Sequence, residues 1–227
     1  MDHEAPADHG AVDDDESEFQ HRLGMFRELV ESARGISAAV AWWTDEGDPE
    51  INVIGARDRV MLAGEYARLS GRGHTRCHER VGLLRAPRSG RVVALTRAVV
   101  LPDRLPPPVR ERLGVPHPDG PEHVVPTRVP IGVAMAELGD RAVRVDRTVR
   151  SIIGRRGSIG EDLVLETTGV WVVDGLPAVL AGEEILRDLL TEYAPPGRLE
   201  HFRGLADRLH TDAPTPACAT AAHGVAC

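Results

Sequence analysis

The chain has 227 residues, of which 42% are hydrophobic and 27% charged, enough for one α/β or α+β domain with a sizeable core. Its formal charge of −8 comes without a clustered basic face for a phosphate backbone, and no apolar run reaches the ~20 residues that span a bilayer, so nucleic-acid and membrane partners are not expected. All 27 fixed cations are arginine, which excludes Schiff-base chemistry, lysine-bound pyridoxal phosphate and a Walker-A loop.

The first eighteen residues hold eight Asp or Glu and no arginine. Residues 1–20 therefore read as an acidic, disordered tail. No basic segment leading into an apolar one marks a secretory signal, and the expected location is cytoplasmic. Leu23, Phe26, Leu29 and Val30 recur at helical spacing, with Gly35 as a stop. Ser37 to Trp43 reads as a strand or a continued helix, with Trp42 and Trp43 as core. Ile51 to Leu62 has strand character. Val81 to Ala86 and Arg91 to Leu101 form two strands around the turn Pro87-Arg88-Ser89-Gly90. The second is apolar on both faces and so reads as central. Pro106 to Pro108 open a short helix that ends near Gly114.

Val115 to Pro126 is a loop carrying His117 and His123. Ile131 to Leu138 reads as a short helix. Ala142 to Ile152 alternates Val143, Val145 and Val149 against Arg144, Asp146, Thr148 and Arg150, as a half-exposed strand does. Leu163 to Val173 and Leu176 to Leu186 flank Asp174-Gly175, a strong hairpin signal because both turn positions need positive φ. Leu199 to Leu209 is an expected closing helix, and the tail from 211 to 227 reads as disordered. The expectation is a single α+β domain over residues 21–210, with about six mostly hairpin-connected strands in an antiparallel sheet and helices between and after them.

Cys77, Cys218 and Cys227 show no CxxC or metal-type Cys/His spacing. Cys77 and His78 are adjacent, so on a strand they point to opposite faces and make a poor nucleophilic pair. Two groups remain. Glu183 and Glu184 end an apolar strand, where a carboxylate is costly unless paired or used. Glu183 shares a face with Val179, Ala181 and Ile185. Arg80, Arg85 and Arg97 occupy strand positions, and a buried arginine needs an anion. An internal Arg–Glu bridge explains both groups. So does a closed pocket in which arginine holds a small organic anion against an apolar wall.

The ordered series HERVGLL, VVALTRAVVLPDRLPPPVRERL, VPIGVAM and DGLPAVLAGEEIL resembles the chorismate lyase family (chorismate–pyruvate lyase, 4-hydroxybenzoate synthase) over Gly35 to Leu186. The resemblance implies a single-domain antiparallel α+β fold. It implies a cofactor-free lyase that converts chorismate to 4-hydroxybenzoate and pyruvate in a buried site under helical flaps. Arg80 would bind the ring carboxylate and Glu183 would handle the proton. Met135 and Ile36 would be backbone contacts, and Arg97 the internal arginine beside the site. Gly182 stands where the family usually carries threonine. A second hypothesis keeps the fold without the chemistry, as a non-catalytic sensor of a small carboxylate, since the fold also occurs as the ligand-sensing domain of some winged-helix repressors. A third is a divergent enzyme acting on a related small anion. The expected partner is a small molecule, and the expected assembly a monomer or small homo-oligomer.

Overall fold

A computed structural model describes residues 10–70, 75–116, 127–157 and 160–193, with only the backbone described for 10–14. These residues fall in one compact unit, Met1–Ala194, and the second unit, Pro195–Cys227, lies outside them. His117, His123, the expected helix from Leu199 to Leu209 and the tail after it are likewise outside.

The helices are α1 (Gly10–Ser32), α2 (Ile36–Thr44), α3 (Ala63–Leu69), α4 (Pro107–Arg112), α5 (Ile131–Ala136) and α6 (Arg187–Glu192). The strands are β1 (Glu50–Val60), β2 (Arg76–Arg85), β3 (Val92–Val100), β4 (Ala142–Arg156), β5 (Asp162–Val173) and β6 (Leu176–Leu186). All six form one antiparallel sheet in the order β1-β2-β3-β6-β5-β4. This is the α+β architecture expected from the hairpin-connected strands. The apolar β3 and β6 lie at its centre because side chains on both of their faces are covered.

The inner face carries the main core. There Ala98, Val100, Val179 and Ala181 pack under Val109 and Leu113 of α4 and its turn, and under Ala134 and Met135 of α5. The outer face is covered in part by α3, where Leu69 joins Met61, Cys77, Val99 and Val170. Asp174 and Gly175 both take positive φ, 49° and 82°, so the β5–β6 turn twists with its strands as the Asp-Gly pair predicts.

Two segments differ from expectation, and one open choice is settled. Helix α1 begins at Gly10, inside the stretch read as a tail. Phe19, Leu23, Phe26 and Val30 form one buried stripe. The open choice at Ser37–Trp43 resolves to helix α2, whose Trp43 stacks edge-on against Phe26 at 5.1 Å and donates to the Leu189 carbonyl. Helix α3 was not expected. It starts where the Leu62 N–H donates to the Glu65 carboxylate at 2.8 Å. No described helix is long and apolar enough to cross a membrane.

Candidate functional site

Period-2 alternation and register together place Arg80 and Glu183 on the inner face. Arg80 pairs with Ala98 of β3, and Glu183 pairs with Thr96 of β3 and Thr167 of β5. One strand separates them, so their backbones lie roughly 10 Å apart. Between them sits a cavity of about 30 Å³ lined by Ile36, Ser37, Arg80, Pro130, Gly132 and Glu183, among others. Gly132 brings α5 against α2: a Cβ there would meet the Ser37 hydroxyl at 2.9 Å.

Arg80 is 3% exposed, and neither Nη1 nor Nη2 finds a hydrogen-bond partner among the described residues. Burial without a counter-charge pulls its guanidinium down to about 10. Glu183 is differently placed. Its Oε2 accepts from Arg144 Nη2 at 2.8 Å and from the Thr167 hydroxyl. Arg144 is itself buried, 3% exposed in its side chain. Among the described residues, the buried cations Arg80 and Arg144 stand on this face with the buried carboxylate Glu183, which Arg144 takes, and the Arg80 Nη atoms are left over.

Arg144 was expected on the exposed side of β4. The strand is inverted: Val143 and Val145 are 52% and 41% exposed, and Arg144 turns inward. Glu183 supplies the reason, since a buried carboxylate recruits the nearest cation. Gly169 makes the room, because a Cβ there would stand 2.5 Å from Arg144 Nε. A glycine in the interior of a strand was the sequence signal for this close approach.

The other expected site residues divide. Ile36 lines the cavity. Met135 is fully buried in the core with Ala134 and is not among the cavity's lining residues. Arg97 is among the residues lining the cavity, but its side chain leaves on the outer face, 53% exposed, with Nε and Nη2 donating to Glu79 Oε1 at 2.8 and 2.6 Å. The internal bridge read from the sequence, between Arg80, Arg85 or Arg97 and Glu183 or Glu184, is not made among the described residues: Glu183 pairs with Arg144, Glu184 with Arg155 and Arg97 with Glu79. Arg85 donates to the Gly90 carbonyl in its turn. Cys77 and His78 do point to opposite faces, and burial pushes the Cys77 thiol up.

Hydrogen bonds from Arg59, Arg97 and Arg57 hold Glu79 down to about 2, and Arg59 also grips Glu65 of α3 at 2.7 and 2.6 Å. Beside this network a groove of about 390 Å³ runs along the outer face, lined by Val99, Leu180, Arg97, Arg68 and Glu184. Its charges already have partners: Arg68 has Asp146, Arg97 has Glu79 and Glu184 has Arg155. The groove is larger than the inner cavity, but only the inner cavity holds a buried charge without a partner. Among the described residues, no group of three or more His, Cys, Asp and Glu could hold a metal ion.

No family model matches the chain, and no curated protein matches it. Among solved structures, the C-terminal domain of a histidine utilization repressor from Pseudomonas syringae is similar, with 10% identity over 61% of this chain and 91% of that one, at a TM-score of 0.42. A GntR-family transcriptional regulator from Bacillus cereus gives 12% identity, 61% and 91% coverage, and 0.41. The effector domain of PhnF from Mycobacterium smegmatis gives 12% identity, 62% and 82% coverage, and 0.39. All three scores are under 0.5, and the likeness assigns no ligand to this chain.

The expected architecture is present, but the expected enzyme is corrected. The similar structures are regulator and effector domains, not chorismate lyases. The lyase activity, with 4-hydroxybenzoate and pyruvate as products, falls with that finding. The physical reason lies in Glu183: the carboxylate meant to move the proton is occupied by Arg144 and Thr167.

Proposed function

We propose that this domain is a non-catalytic sensor of one small organic carboxylate, bound on the inner face by Arg80. The observation that carries the reading is the buried guanidinium with two nitrogens lacking partners among the described residues. A buried cation is costly unless it is paired, and a carboxylate meets its fork bidentately. Ile36, Pro130 and Ala98 supply apolar walls for the rest of the ligand.

The cavity, about 30 Å³, holds a water molecule or two. A carboxylic acid is larger, so binding must displace the wall formed by the start of α2 and by Pro130 to Gly132. That displacement turns occupancy into a change of shape, which is what a sensor reports. We place this sensor in the cytoplasm, with a free small acid as its ligand and no metal or organic cofactor.

Thermal unfolding with acetate, butanoate and benzoate, each set against its amide, tests the reading. At a hundred times its dissociation constant, a fitting acid adds about 2.7 kcal/mol, which raises Tm by roughly 5–11 °C for a chain of this size. The amides leave Tm unchanged, and Arg80→Met abolishes the response to acids. Equal stabilisation by acid and amide, or an undiminished response in Arg80→Met, would overturn the reading.

A further inference from the structure

Strand β2 carries a second orphan beside Arg80. His78 lies two residues earlier, so the two side chains leave the same face about 6.5 Å apart along the strand. The register places them: His78 stands between Asp58 and Val100, and Arg80 between Ala56 and Ala98. Ala98 and Val100 both belong to the inner core under α4 and α5.

His78 is 1% exposed, and its Nδ1 lies 2.7 Å from Asp58 Oδ1. A carboxylate only accepts, so Nδ1 carries the proton. In the neutral ring that leaves Nε2 as a lone-pair acceptor, and it finds no partner among the described residues. Five buried side-chain atoms share that condition, and three of them, His78 Nε2 and the two Arg80 Nη atoms, sit on this one face of β2. The Asp58 side chain is 43% exposed, so it orients the ring while keeping its own hydration. A carboxylate that fixes Nδ1–H while Nε2 faces inward is how proteins present an imidazole to a partner.

We infer that His78 is the specificity residue of the Arg80 site, its Nε2 accepting a hydrogen bond from a hydroxyl on the ligand. The preferred ligands are then hydroxy acids whose hydroxyl lies several bonds from the carboxylate. This rests on the reading of Arg80 given above. A second carboxylate would set its lone pairs against that of Nε2, and Glu183 on the far side of the cavity is also an acceptor. His78 is not among the residues lining the cavity, so its Nε2 is met only by a ligand that runs along β2 beyond Arg80. A hydroxyl satisfies an acceptor at a lower desolvation cost than an ammonium.

The probes are 4-hydroxybutanoate and 6-hydroxyhexanoate against butanoate and hexanoate, titrated calorimetrically into the whole chain. The better-fitting hydroxy acid should bind about tenfold tighter than its parent. His78→Leu should abolish that preference while leaving the parent acid within about threefold of its wild-type affinity. Asp58 is a positioning residue, and Asp58→Ala should reduce the preference by freeing the ring. In the wild-type protein the ¹⁵N resonance of His78 Nε2 should move on saturation with the hydroxy acid and not with the parent.

If the parent acids bind but no hydroxy acid outbinds its parent, or His78→Leu keeps the preference, the role of His78 is refuted and that of Arg80 stands. If no acid binds at all, both fall. Should His78→Leu fail to fold, the wild-type resonance decides, and an unmoved Nε2 signal refutes the inference.

Discussion

Removing the charge of Arg80 should make the ligand-free protein more stable. Burial draws its guanidinium well below the usual arginine range, to about 10. At about 1.36 kcal/mol per pKa unit, the charged form is disfavoured by on the order of 3 kcal/mol. That is an upper bound, because relaxation and water entry reduce the penalty in real proteins. Arg80→Met keeps much of the apolar stem and deletes the charge. Urea unfolding should show a gain of about 1–3 kcal/mol with an unchanged m-value, and Tm should rise by roughly 2–12 °C. For a cation with a lowered folded pKa, the penalty is present at every pH below that value and is relieved above it. The gain should therefore be flat between about pH 5 and 9. A loss exceeding about 1 kcal/mol would show that Arg80 meets an anion within the folded chain, and the case for a ligand would go with it.

Breaking the Arg144–Glu183 pair should do the opposite. Arg144→Met leaves a buried carboxylate and should cost about 3–5 kcal/mol, much of it recovered by Glu183→Leu in the same chain; urea unfolding of the three variants checks this. Gly169→Ala drives a Cβ to 2.5 Å from Arg144 Nε and should cost about 1–3 kcal/mol. A double-mutant cycle with Arg144→Met should remove that cost, and strict additivity would show that the two residues do not touch. The Glu79 carboxyl, held near 2 by Arg59, Arg97 and Arg57, contributes stability that is complete above its unfolded value and lost as pH falls toward 2. Urea midpoints from about pH 6 down to 2 should fall less steeply in Glu79→Gln, and parallel slopes would clear this network of a part in acid unfolding.

Local signals were reliable where one interaction decides the geometry. Asp174-Gly175 turns because few residues accept positive φ, and Pro106 to Pro108 open a helix for an equally local reason. Alternation also placed Glu183 with Val179, Ala181 and Ile185, and all four are buried. The same rule failed on β4. It separated Arg144 from the valines correctly but assumed that the valines face inward. Which side of a strand is covered depends on what lies across it, and the carboxylate across from β4 belongs to β6, reached through β5.

By itself the sequence determined an α+β chain with six antiparallel strands, an arginine-only cation set, and a carboxylate and an arginine at costly strand positions. Each follows from residue type or from a period of two. Tertiary structure alone decided the partners: Arg144 for Glu183, Glu79 for Arg97, Asp58 for His78, and none within the described chain for Arg80. Pairing depends on register and on which helices close over which face. Those are set by the packing of elements far apart in the chain, and no local pattern encodes them.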